Sequence, residues 1–142
     1  MRTQELASSL RSVIAALHKS LRRQMSSVNK YSMTEIETIA QLSRSGSLLP
    51  TELAALTRVK TQSMSQILKE MEEDRIIKRT PSKEDKRKVY ISLTALGKNL
   101  MEKARYDKDE WLKTAIDNAL TEKEKDLLIK AIPVLSKIIE TK

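Results

Sequence analysis

The stretch Asp85-Lys86-Arg87-Lys88-Val89-Tyr90-Ile91-Ser92-Leu93-Thr94 decides how this chain is read. Three consecutive cations follow an aspartate, which marks a charged turn. Val89, Ile91 and Leu93 then alternate with Tyr90 and Ser92, the period of a half-buried strand. Thr94 is a residue type that caps helices, and a new apolar stripe begins just after it. Upstream, Ile76 to Arg79 reads as the partner strand, with Pro81 to Arg87 as the polar loop that joins the two into a small two-stranded wing.

Before that hairpin lies an amphipathic segment, about Thr61 to Asp74. Met64, Ile67, Leu68 and Met71 repeat at helical spacing, so one face is predicted to be buried. Gln62, Gln66, Lys69 and Glu73 point the other way, with Ser63 and Ser65 on the flanks. Leu49-Pro50-Thr51 opens a shorter helix, Thr51 to about Leu56, and Thr57 to Lys60 is the turn between the two. A helix presenting amide side chains, followed by a cationic hairpin, is the layout of a winged helix-turn-helix.

The chemistry of that layout points to duplex DNA. Gln62 and Gln66 can each make paired hydrogen bonds to adenine in the major groove. Ser63 and Ser65 can bond bases or phosphates, and the amides at a helix N-terminus favour a phosphate. A guanidinium such as that of Arg87 suits a narrow, electronegative minor groove. Lys83, Lys86 and Lys88 are candidate phosphate contacts, with Arg58 and Lys69 weaker ones. Taken alone, the helix face could be ordinary solvated surface; the wing beside it tips the reading toward DNA.

Charge distribution agrees. The 142 residues carry a formal net charge of +8, which favours polyanion partners. Residues 58–88 hold 10 basic and 6 acidic residues, and residues 1–31 hold 6 basic and 1 acidic, whereas residues 89–142 are nearly balanced. Aromatic residues are only 3%, with no Phe and one Trp, which argues against stacking on single-stranded nucleic acid. There is no Cys, so thiolate metal sites and disulfides are excluded. With one histidine, His18, a transition-metal site is not expected, and His18 reads as structural. No cofactor is expected. The N-terminus lacks a signal-peptide core and no apolar run approaches a membrane span, so a cytoplasmic location is expected. No Gly-rich phosphate loop or paired nucleophile and base is present, so the chain is not read as an enzyme.

The ends of the chain are helical. Leu6, Leu10, Val13, Ile14, Leu17 and Leu21 form one stripe, with Lys19, Arg22 and Arg23 near its end, where cations suit the helix dipole. A loop is expected around Ser26 to Ser32. Thr34 to Glu37 reads as a capping box that starts a second helix, with Ile36, Ile39, Ala40 and Leu42 inward; Ser43 to Gly46 stops it. Thr94 caps a long helix with Leu96, Leu100, Ala104, Trp111, Ala115 and Ile116 as its stripe. Thr121 to Glu124 is a further capping box, opening a last helix that holds Leu127, Leu128, Ala131, Ile132, Leu135, Ile138 and Ile139. Pro133 falls within it and predicts a kink. Trp111 and the six Met residues read as core or dimer interface rather than as a cofactor box, and Tyr31, near the first connection, is a weak candidate for the border of a ligand cavity.

The residues Leu53-Ala54, Val59 to Ser65, Met71-Glu72, Ile76 to Arg79, Asp85-x-Arg87 and Leu93-Thr94-x-x-Gly97 together resemble the MarR (multiple antibiotic resistance regulator) family, and the resemblance covers nearly the whole chain. It implies a mainly α fold with a small two-stranded β-wing. The divisions would be an N-terminal dimerisation helix (1–31), a winged helix-turn-helix DNA-binding domain (32–93) and C-terminal dimerisation helices (94–142). It further implies a homodimeric regulator, often a repressor, on a near-palindromic operator, with Leu6, Leu10, Val13, Leu17, Trp111, Leu128, Leu135 and Ile138 at the dimer interface. Asp85 would hold Arg87 by an ion pair, and a small-molecule effector is implied as a further partner. The chain departs from the family where Arg75 replaces a common Gly, where Lys60 replaces a common Ser, and where Thr61-Gln62 replaces frequent prolines, which adds Thr61 to the candidate DNA contacts. The competing reading is a winged-helix module that binds a protein partner; the cationic stretch and the Gln pair disfavour it, since protein interfaces centre on apolar anchors.

Overall fold

The computed structural model describes residues 2–25 and 30–141. Its elements are α1 (Thr3–Arg23), α2 (Met33–Ser45), β1 (Ser47–Leu48), α3 (Pro50–Thr57), α4 (Thr61–Glu73), β2 (Ile77–Pro81), β3 (Val89–Leu93), α5 (Ala95–Ala119) and α6 (Glu122–Glu140). Residues 26–29 of the expected first loop lie outside the described residues. Two compact units can be separated: residues 22–107, and residues 1–21 together with 108–142.

In the first of these, the start of α2 differs from the sequence expectation. The cap is Ser32, not Thr34. Ser32 Oγ accepts from the Glu35 amide (3.1 Å), and Glu35 Oε1 accepts from the Ser32 amide (3.4 Å). Thr34 is already inside the helix, where its carbonyl accepts the Thr38 hydroxyl (2.7 Å). Gly46 ends the helix at φ 84°, a backbone value that glycine reaches without strain.

The expected two-stranded wing is present, and among the described residues a third, short strand joins its sheet. Residues 47–48 pair with β3 on the side away from β2, giving the antiparallel order β1-β3-β2. Ile77 faces Leu93, and Arg79 faces Ile91. The second strand runs Ile77–Pro81 instead of Ile76 to Arg79.

The core of this unit is aliphatic and Met-rich, as the lack of Phe requires. Ile39, Leu42, Leu53, Met64, Leu68, Met71, Ile76 and Ile91 are almost wholly buried. Met64, Leu68 and Met71 come from the predicted inner face of α4, and Ile67 packs partly buried beside them. On α5, Ala104 is buried and Leu100 packs against the core, but Leu96 is exposed, contrary to expectation.

One junction ties these parts together. Arg75 has φ 63°, in the left-handed region, where a residue with a side chain is strained. The Thr94 hydroxyl donates to the Arg75 carbonyl (2.5 Å) and accepts from the Gly97 amide (3.1 Å), which caps α5 as the sequence predicts. The Thr94 amide donates to the Ile76 carbonyl (2.9 Å). Gly97 lies so close that a Cβ there would collide with the Ile76 carbonyl oxygen.

In the other unit, α6 starts with the predicted box: Thr121 Oγ1 accepts from the Glu124 amide (3.2 Å), and Glu124 Oε1 from the Thr121 amide (3.0 Å). The helix runs on through Pro133 as one element. Lys125 meets Glu122 and Asp117, each at 3.1 Å, and these bonds, Glu122 foremost, hold its pKa above the usual lysine value. Neither α1 nor α6 has a buried residue, although both carry long apolar stripes.

The junction generates two opposed expectations. Gly97→Ala should lower stability by about 1–3 kcal/mol, the usual range for overpacking. Arg75→Gly should raise it by about 0.5–1 kcal/mol by removing left-handed strain, less the entropy that glycine adds to the unfolded chain. Urea denaturation of the two variants beside the parent measures both; a stable Gly97→Ala protein would contradict the packing described.

Candidate nucleic-acid interface

The helix that carries the expected base contacts begins without a side-chain cap. Lys60 takes the extended cap conformation, but its side chain accepts nothing, and the first backbone bond is the Met64 amide to the Lys60 carbonyl (2.9 Å). The amides of Thr61, Gln62 and Ser63 precede that bond, so they lack carbonyl partners within the helix. Such a start offers donors and partial positive charge to an anion. Thr61, Gln62, Ser63, Ser65, Gln66 and Lys69 are all exposed on this helix. Two of them are engaged locally: the Ser65 hydroxyl donates to the Thr61 carbonyl (3.1 Å), and the Gln66 amide donates to Glu70 (3.1 Å). Gln66 must therefore exchange Glu70 for any base it reads, a competitor the sequence reading did not single out.

The wing tip is built by nested local bonds. The Ser82 hydroxyl accepts from the amides of Glu84 (3.2 Å) and Asp85 (3.3 Å), and the Ser82 amide donates to the Lys88 carbonyl (2.8 Å). Asp85 Oδ1 accepts from the Arg87 amide (3.0 Å) and from Arg87 Nε (3.2 Å), while Asp85 Oδ2 accepts from Nη2 (3.4 Å). The Arg87 side chain is held at its base yet 91% exposed. Lys83, Lys86 and Lys88 are exposed around it. A pair this open contributes little to stability; its effect is to fix the direction of a cation.

Two further residues join the site that the sequence reading passed over. A groove of about 410 Å³ is lined by Leu49, Pro50 and Thr51 at the start of α3 and by Arg79, Arg87 and Lys88 of the wing. Arg79 also reaches Glu72 near the end of α4 (3.1 Å), so it links the wing to that helix. The signal for Arg79 was its place in a strand two residues beyond the buried Ile77; Thr51 gave none. Arg58, a weaker candidate, ends α3 in the left-handed conformation at φ 58°, which fixes the turn before α4.

Comparison with known proteins follows this geometry. Residues 31–88, which span α2 through the wing tip, match the model described as the MarR family. Over those residues the resemblance to the MarR family is borne out. A helix-turn-helix-type transcriptional regulator of Mycobacterium bovis is 27% identical over 135 residues, covering 95% of this chain and 93% of that protein. A crystal structure of a transcriptional regulator protein from Pseudomonas aeruginosa superposes with a TM-score of 0.84 at 27% identity, covering 98% of this chain and 97% of the other. A mutant MepR from Staphylococcus aureus bound to an oligodeoxyribonucleotide has the same fold, with a TM-score of 0.71 at 18% identity over 95% of this chain and 98% of the other.

The expected interface residues lie in the unit formed by 1–21 and 108–142. Leu6, Val13, Leu17, Leu128 and Ile138 are exposed, while Leu10, Trp111 and Leu135 are half-buried. His18 lines an apolar groove with α1 residues and Ile138. Tyr31 is in the core of the other unit, with the Lys30 ammonium 5.1 Å from its ring centre. Among the described residues no group of acidic or histidine side chains is arranged to hold a metal ion, and no helix is long and apolar enough to cross a membrane.

The uncapped start of α4 is testable. Lys60→Ser should supply the missing acceptor and stabilise the chain by about 0.5–1 kcal/mol, seen as a higher urea midpoint. No gain would mean that the cap geometry at Lys60 is not what the structure describes.

Proposed function

We propose that this chain is a transcription regulator that binds duplex DNA sequence-specifically as a homodimer, in the cytoplasm, and represses from a near-palindromic operator. The observation that carries the reading is that one compact unit presents both an exposed polar face on α4 and an exposed guanidinium, Arg87, anchored by Asp85. Gln62, Ser63 and Gln66 read base edges, with Thr61 beside them and Ser65 on the flank. Arg87 enters the minor groove. Lys69, Lys83, Lys86, Lys88 and Arg58 neutralise phosphates, and Arg79 with Thr51 extends that contact along the groove beside α3.

Pairing of two chains is supported by the apolar surface of α1 and α6. Val13, Ile132, Ile138 and Ile139 are more than half exposed, and α1 residues with Ile138 line an apolar groove of about 620 Å³. Apolar surface this continuous marks an interaction site. A second copy of the same stripe covers it by two-fold symmetry. An effector of such a dimer acts by binding its DNA-incompetent form more tightly than its competent form.

Arg87→Ala tests the reading. On a duplex selected from genomic fragments, affinity should fall about tenfold or more, and the salt slope should shrink by about one unit. The melting temperature should not change, since the side chain is 91% exposed. Unchanged affinity at physiological salt would remove the wing from the interface.

A further inference from the structure

Lys78 and Ser92 are cross-strand partners in the wing sheet. Side chains alternate along a strand, so these two project from the face opposite that of Ile77, Arg79 and Ile91. Burial agrees: Ile77 and Ile91 are buried, and Lys78 is exposed. The end of α2, the sheet and the first turns of α5 border a cavity of about 380 Å³, lined by Lys78 and Ser92 from that face and by Leu93 from the other. Half-buried Met101 gives it an apolar wall, above Leu42 and Leu93, which are almost wholly buried. Lys78, Lys98, Arg105 and Glu102 stand around it, an excess of two positive charges.

The α5 contribution is ordered by helix geometry. Lys98, Met101, Glu102 and Arg105 are spaced i, i+3, i+4 and i+7, so they share one face. Residues at such spacings can pair charges across the helix surface. Among the described residues, however, Lys78, Lys98 and Arg105 enter none of the ion pairs. Three unpaired cations therefore border one concavity with an apolar wall.

We propose that this cavity binds a small organic dianion: a phosphate monoester or a dicarboxylate with a compact apolar body. A neutral apolar ligand would strip water from the ammonium groups and give nothing back. A monoanion would leave one excess cation uncompensated. A dianion balances the charge, accepts charge-assisted bonds from Arg105 and the lysines, and lays its body on Met101 and the aliphatic stems of the lysines. The volume is within the usual range for small-ligand pockets, about 300–1,000 Å³. DNA is not the occupant, because none of Gln62, Gln66, Arg79 and Arg87 lines the cavity. Binding itself is independent of the DNA-binding reading; any effect on repression rests on that reading.

The test uses the full chain without DNA, titrated with phenyl phosphate or with phthalate at about pH 8, where the monoester is a dianion. Amide and methionine-methyl NMR follows the titration. The expected result is saturable shifts at Lys78, Ser92, Lys98 and Met101, with a dissociation constant below about 1 mM for at least one probe. The tighter probe names the anion. Inorganic phosphate and benzoate, which lack the body or the second charge, should each bind at least about tenfold more weakly. The double variant Lys98→Ala, Arg105→Ala should weaken the better probe at least about tenfold at an unchanged melting temperature. Absence of saturation by about 10 mM, shifts confined to Lys83, Lys86, Arg87 and Lys88, or full affinity in the double variant would overturn the proposal. With no duplex in the sample, failure here and failure of DNA binding are read separately.

Discussion

The hydroxyl of Thr94 is the point on which the DNA-reading unit turns. It donates to the carbonyl of Arg75, just past α4, and accepts from the amide of Gly97, at the start of α5. The backbone between α4 and β2 is thereby held against the first turn of α5, and only a residue without a side chain fits at Gly97. One threonine thus pairs backbone groups from two helix ends at once. The position of α4 relative to the sheet follows from this contact and from the Arg79–Glu72 pair, rather than from the wing tip.

Stability and recognition are separated in this architecture. The interior is assembled from Ile, Leu and Met with almost no aromatic surface, and its energy comes from area and packing. The proposed reading surface contributes little to stability. The Asp85–Arg87 pair is open to water, the start of α4 lacks a side-chain cap, and Arg58 and Arg75 occupy left-handed backbone positions. Features that cost stability, or add none, gather at both ends of α4, as expected where geometry serves a partner.

Much of this was legible in the sequence, for identifiable reasons. The strand Val89 to Leu93 and the inner face of α4 were clear because their periods are strong and their residues large. Thr94 and Thr121 were recognised because a cap beside a long apolar stripe has one reading. The start of α2 was misplaced because Ser32-x-x-Glu35 and Thr34-x-x-Glu37 overlap; the outcome depends on which residue leaves the helix first, which local pattern does not decide. The strand at residues 47–48 is too short for any period, and it exists only because β3 offers an edge. Leu96 fitted the helical stripe, yet the core it would have joined is already closed by Gly97 and Leu100. In the candidate interface, Arg87 was found from its place in a charged turn. Arg79 and Thr51 emerged only when folding brought β2 and α3 to one groove.

The apolar faces of α1 and α6 give the remaining constraint. Helices with such stripes and no buried residue draw little stability from their own chain, so a two-fold partner is part of the account. Sedimentation equilibrium with a selected duplex, combined with hydroxyl-radical cleavage, tests this most directly. The account predicts two chains per duplex, with paired zones of protection whose centres are about 10 base pairs apart. One chain per duplex with a single protected zone, or a monomer at concentrations where the duplex is saturated, would contradict it.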